Sequence, residues 1–130
     1  MKISILILFI ITCFFSCDKD CNNTDDLVGK KFVHLFVPTE AECIASQSDP
    51  NFFINCHQDI RFLDESTATI ILSDILNDVS YTVNGDKITI YSSTHSEFSE
   101  NIIFTKKSKS SLQKDDDQTI WVEKNGSIWD

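Results

Sequence analysis

Three glycines and two prolines are few for a chain of 130 residues, and the shortage excludes several functions. A loop that cradles phosphate needs glycines close together, and neither a P-loop nor a dinucleotide fingerprint is present. No G-x-S-x-G elbow occurs, and nothing ties a serine to a histidine and an acid. Cations are scarce: 11 Lys and Arg stand against 20 Asp and Glu, for a net charge of -9. Without a basic stripe to neutralise phosphates, nucleic acid is not the expected partner. A domain lying flat on an anionic membrane is disfavoured for the same reason. Also missing is the run of roughly 20 apolar residues that a bilayer span requires.

What is present starts with Lys2 and then "ISILILFIITCFF" over residues 3–15. One positive residue followed by a short, uniformly apolar run has the layout of a secretory signal. A core helix of this length would be apolar on one face only. Signal peptidase of the usual kind prefers an A-x-A-like site, and none is found. Instead Ser16 places a small residue directly before Cys17, in "FFSCDKDC". This resembles the lipobox of bacterial lipoproteins, with Phe14 and Phe15 at the two earlier positions. The resemblance implies a signal peptide over residues 1–16, attachment of diacylglycerol to the Cys17 thiol, and acylation of the new amino terminus by palmitate or a similar chain. Cys13 is the competing position, but Thr12 is a poorer small residue and two Phe would stay in the tether. Two or more acyl chains, at ~0.8 kcal/mol per buried CH₂, hold a soluble domain on a membrane without a span. The expected location is therefore the bacterial envelope, more specifically the outer membrane. The "DKD" after Cys17 resembles a surface-export signal of some bacterial groups.

Loss of residues 1–16 leaves about 114 residues, enough for one domain with a sizeable core and too few for two. Lys2 is the only charge removed, so the remainder carries about -10, which suits solubility or a cationic partner. Residues 17–26, "CDKDCNNTDD", hold no aliphatic or aromatic side chain and read as a solvated tether. An exported chain meets an oxidising compartment, where disulfides persist. Of the remaining cysteines, Cys43 and Cys56 flank a stretch rich in loop formers and are the favoured pair, with Cys21 left in the tether. The alternative is Cys21 reaching one of them.

From residue 27 onward the pattern is of short β runs. Strands are expected at 31–37, 59–63, 67–72, 79–83, 87–91, 101–105, 111–114 and 119–123. Residues 38–58 form a long loop with both prolines and the two cysteines, and a short helix near 40–46. Residues 73–78 are a connection with room for one helical turn. Asn84-Gly85 signals a hairpin turn, and "KKSKSS" at 106–111 a turn or frayed link. Val79, Tyr81 and Val83 share one face; Ile88 and Ile90 point inward. Ile120 and Val122 share a face, which places Trp121 on the outside. Residues 125–130 are a tail in which Trp129 packs loosely or not at all. Eight strands at this spacing suggest a sandwich or an up-and-down barrel.

"LVGKKF", "IRFLDESTATI", "YTVNGDKITIY" and "SLQK…TIWVEK" together resemble the small lipocalin-like domains of many bacterial lipoproteins. The resemblance covers residues 27–124, with Phe32 where such domains carry a tryptophan. It implies an all-β, eight-stranded antiparallel meander closed into a barrel.

No constellation of chemistry stands out. His34, His57 and His95 are isolated, and Cys43, Cys56 and His57 are better explained by a disulfide and an exposed histidine than by zinc. Asp115-Asp116-Asp117 lacks the spacing and the glycine of a calcium loop and reads as a solvated turn. Asp64 and Glu65 are sequence neighbours that point apart, unlike an acid/base pair. Phe52-Phe53 either caps the barrel end, the favoured reading, or forms a contact patch for a partner. Neither a cofactor nor catalysis is expected, and the chain is expected to be monomeric. The leading function is a lipid-anchored module that binds a small apolar ligand or a protein. The alternative is an acidic inhibitor of a cationic enzyme such as lysozyme.

Overall fold

In a computed structural model, residues 26–51 and 53–130 are described. Eight strands and one short helix follow one another as β1 (Lys31–Leu35), α1 (Glu40–Ser46), β2 (His57–Phe62), β3 (Thr67–Ile71), β4 (Leu76–Asn84), β5 (Lys87–Ile90), β6 (Ile102–Ser108), β7 (Ser111–Lys114) and β8 (Ile120–Glu123). Each strand pairs antiparallel with the next, and β1 pairs with β8 as well, so the sheet closes in the order β1 to β8. This is an up-and-down barrel of lipocalin-like plan. Closure leaves no unpaired sheet edge.

Period-two alternation builds the walls. Along β4 exposed and buried residues alternate without a break, with Asn77, Val79, Tyr81 and Val83 turned in. Phe32, Ile60, Phe62, Ile70, Ile88, Ile90, Phe104, Leu112 and Trp121 all have 0% of their surface exposed. A chamber large enough for a ligand would leave its wall side chains accessible to water, and these are not. The interior is filled with side chains, as eight-stranded barrels can be. Phe32 takes its share: its ring stands edge-on to Phe62, which in turn meets Tyr81 at 4.8 Å. Fully burying each such side chain contributes about 1.5–3 kcal/mol.

Some expectations need correction. Trp121 faces inward, where its ring meets Phe104 edge-on at 5.0 Å and its indole N–H donates to Thr119 Oγ1 at 3.1 Å. Ile120 and Val122 are on the outer wall, nearly half exposed. Three apolar residues in a row leave the parity of a strand open, and a one-residue change of parity swaps every side chain. Pairing of Trp121 with the buried Leu112 selects the larger side chain for the interior. No helical turn occurs between β3 and β4; β4 begins at Leu76 and takes up residues expected in the connection. Likewise β6 runs on through Lys106 and Lys107 to Ser108. The β4–β5 turn is Gly85-Asp86, one residue later than expected, with Gly85 at φ 61° and Asn84 paired to Lys87.

The helix forms where it was expected. Thr39 Oγ1 accepts from Glu42 N at 3.2 Å as its cap, and Glu40 and Glu42 sit in its first turn, where negative charge suits the helix dipole. None of its residues is buried. The Cys43–Cys56 disulfide fastens it to the start of β2.

The strand order separates two ends. At the entry end the chain comes in at Asp26 and Leu27, and the short turns 63–66, 85–86 and 109–110 lie beside the tail 124–130. At the opposite end lie the long connections 36–56, 72–75, 91–101 and 115–119.

Candidate functional site

The long-loop end gathers the exposed apolar side chains that the barrel does not need. Phe36, Ile44, Phe53, Ile54, Ile75 and Leu76 are all exposed, Phe53 the most at 75%. The favoured reading of Phe53 as a cap therefore fails: its side chain stands in solvent, because the interior is already filled. Phe52 lies outside the described residues. A groove of 310 Å³ runs between Phe53, Ile54 and Asn55 on one side and Ser73 and Asp74 on the other.

These loops are tied together. Gln47 exchanges two hydrogen bonds with the Ile54 backbone, at 2.8 and 2.7 Å, closing the disulfide loop on itself. Asn55 Nδ2 donates to the Ser73 carbonyl, which joins that loop to the β3–β4 connection. Ser73 Oγ donates to Glu97 Oε2 at 2.5 Å, and Glu97 Oε1 accepts from Leu72 N and from Asn77 Nδ2. Glu97 N donates back to Asn77 Oδ1 at 2.8 Å. Asn77 is the buried polar residue at which β3 and the 72–75 and 91–101 connections meet. Sequence reasoning missed both Asn77 and Glu97. The signal was there for one of them: extending the inward parity of Val79, Tyr81 and Val83 back by two residues reaches Asn77.

The connections at this end carry charge of one sign. The four connections carry Glu40, Glu42, Asp49, Asp74, Glu97, Glu100 and Asp115–Asp117, and contain no Lys or Arg. The Asp115–Asp117 turn is internally organised. Lys114 Nζ bonds Asp116 and Asp117 at 2.9 and 3.1 Å, and Lys87 Nζ bonds Asp115 at 2.7 Å. Burial pushes Asp117 up, but hydrogen bonds from Thr119 and Lys114 outweigh it and hold the carboxyl at about 2. Hydrogen bonds from Lys87 and then Thr105 lower Asp115. Burial works against the charge on Lys114, yet the bonds to Asp116 and Asp117 raise it.

The other candidates are scattered. His34 Nδ1 donates to the Ile120 carbonyl at 3.0 Å, and its ring lies parallel to Trp121, half-buried as a strand residue. His57 Nε2 meets Asp59 Oδ2 at 3.1 Å on the outer wall, and His95 Nδ1 is 3.1 Å from Thr94 Oγ1. The three histidines share no site. Cys43 and Cys56 are joined, so neither sulfur is a thiolate ligand. Asp64, at the entry end, accepts from Thr67 Oγ1, Ser66 N and Thr67 N, and those bonds lower it to about 2. Glu65 beside it takes no part in these bonds. Cys17 and Cys21 lie outside the described residues, and Trp129 is half-buried in the tail. Compared with protein families, with curated proteins and with solved structures, the chain finds no match.

Proposed function

We propose that this protein is a lipoprotein of the bacterial envelope, anchored through lipid on Cys17 and resident at the outer membrane, and that its barrel is a non-catalytic module for binding a cationic protein. One observation carries the reading of the domain. At the end of the barrel farthest from the tether, apolar side chains stand exposed on hydrogen-bonded loops whose charges are all acidic. Apolar anchors inside a charged rim are the anatomy of a protein interface. The small-ligand reading loses support, because the interior side chains are closed to water.

Inhibition of a cationic enzyme such as lysozyme is one form of this reading, since its charge complements that of the loops. Two measurements test the proposal. Mass spectrometry of the amino terminus of protein recovered from cell membranes is expected to find Cys17 first, carrying a diacylglyceryl group and an acyl chain. Titration calorimetry against lysozyme and other basic proteins is expected to show binding that weakens with salt and with Phe53→Ala. A chain that starts elsewhere overturns the anchor. Binding indifferent to both salt and Phe53 overturns the interface.

A further inference from the structure

The scarce cations of the domain are unevenly placed. Lys31 on β1 stands directly across from Arg61 on β2, both on the outer wall at the entry end. Lys124 follows β8, and its N–H donates to the Lys31 carbonyl at 2.9 Å, which sets it on the other side of Lys31. The three side chains line a hollow of 200 Å³, completed by Gly29, Asn125 and Gly126. Like charges directly opposed across a sheet are destabilising. The neighbouring Lys30 has acids of its own, Asp26 and Glu123 at 3.6 and 3.5 Å. Neither Lys31 nor Arg61 has such an ion pair among the described residues; the Asp130 carboxylate lies at the Gly126 edge of the hollow, beside Lys124. Lys31 Nζ reaches the Gly126 carbonyl, Lys124 Nζ an Asp130 main-chain oxygen, and among the described residues the Arg61 side chain has neither hydrogen bond nor ion pair. Lys31 and Arg61 are thus adjacent positive charges without an acid partner among the described residues, extended into a row by Lys124, on a protein that is otherwise acidic.

The position of this row names its anion. The tether of residues 17–26 joins the barrel at this same end. Ten residues span at most about 35 Å when fully extended and roughly 18 Å as a flexible coil. A bilayer holding lipid at Cys17 is therefore within reach of the row. The acidic loops are at the other end of β1, β2 and β8, which are five, six and four residues long; these span roughly 13–20 Å, about two Debye lengths of ~8 Å at physiological salt, so screening weakens the loops' field at the row.

We infer that Lys31, Arg61 and Lys124 dock the barrel end-on against the phosphates of anionic lipids in the bilayer that anchors it. The inference rests on the lipoprotein reading, and it adds an orientation: the entry end faces the membrane and the acidic, apolar-tipped loops face away. A flat approach stays unfavourable, as the net charge demands; only this end meets the surface.

The test uses the chain from residue 17 with Cys17→Ser, so that no acyl chain contributes to binding. Co-sedimentation is measured with vesicles of phosphatidylglycerol mixed into phosphatidylcholine, and with phosphatidylcholine alone. Binding is expected only with the anionic lipid and is expected to vanish in high salt. Each cation near such a surface is worth roughly fivefold in partition, so K31Q/R61Q/K124Q is expected to lose roughly a hundredfold, while K31R/K124R keeps binding. Thermal melting checks that both variants are folded. Equal binding to the two vesicles, or a triple variant that binds as the parent does, overturns the inference. Neither result touches the anchor at Cys17, which the mass of the amino terminus decides separately.

Discussion

Asn77 and Glu97 exchange two hydrogen bonds: Asn77 Nδ2 donates to Glu97 Oε1 at 2.9 Å, and Glu97 N donates to Asn77 Oδ1 at 2.8 Å. Asn77 also donates to the carbonyls of Ile70 and Ile75, so one amide ties β3, β4 and the 91–101 connection. Asn77→Leu removes these bonds and leaves buried backbone and carboxylate groups without partners. A loss of about 2–3 kcal/mol is expected in urea unfolding. Faster proteolysis within 91–101 than in the parent is expected with it. Stability equal to the parent would show that the junction is unimportant.

The parity of β8 has a direct consequence. Trp121→Ala is expected to cost about 3–5 kcal/mol, because it empties a fully buried site between Phe104 and Leu112. Ile120→Ala and Val122→Ala, on the outer wall, are expected to cost under about 1 kcal/mol each. Chemical denaturation of the three variants gives the ranking; the opposite order would put Trp121 outside.

Stability has an acid limb and an alkaline limb with named causes. Asp64 is lowered from 3.8 to about 2 by bonds from Thr67 and Ser66, and Asp117 reaches about 2 as well. A depressed carboxyl stabilises the fold above its unfolded value, and that contribution is lost as pH falls from about 4 to about 2. Tyr81 is raised from 10.0 to about 12, first by burial and then by the nearby Asp64 and Glu65; its hydroxyl donates to the Asp64 carbonyl at 2.6 Å. Its contribution is complete below pH 10 and is lost as pH climbs toward 12. Melting temperature against pH is expected to show both slopes. Asp64→Asn flattens the first and Tyr81→Phe the second.

Reducing the Cys43–Cys56 bond opens a loop whose ends are 13 residues apart, with an expected loss of roughly 3 kcal/mol in the chain-entropy model. Because α1 buries none of its own residues, the helix is expected to be the part released. Hydrogen exchange measured with and without reductant checks this: protection is lost over 36–56 and kept in β3 to β8. A uniform loss across the barrel would mean that the staple supports the whole fold.

The barrel itself was legible in the chain. Alternation along 79–83 and 87–90, and turn formers at regular spacing, are local properties, and they placed eight strands and a helix at 40–46 with ends displaced by only a few residues. Composition was also enough to point to the Cys43–Cys56 pair. The proposed lipid on Cys17 and the proposed partner belong to chemistry that lies outside the strand pattern.

Three features were decided only in three dimensions. Ile120-Trp121-Val122 is apolar on both faces, so nothing local chooses which side turns in; closure against β7 and β1 chooses it. Asn77 became a junction because a loop 20 residues farther along lies over it. The cationic row and the acidic end exist only because closing the sheet sets Lys124 and Arg61 on either side of Lys31, and collects four separate connections at the far end. Periodicity is a property of neighbours in the chain, whereas a charge pattern or a hydrogen-bonded junction is a property of neighbours in space, and pairing of the first strand with the last creates those.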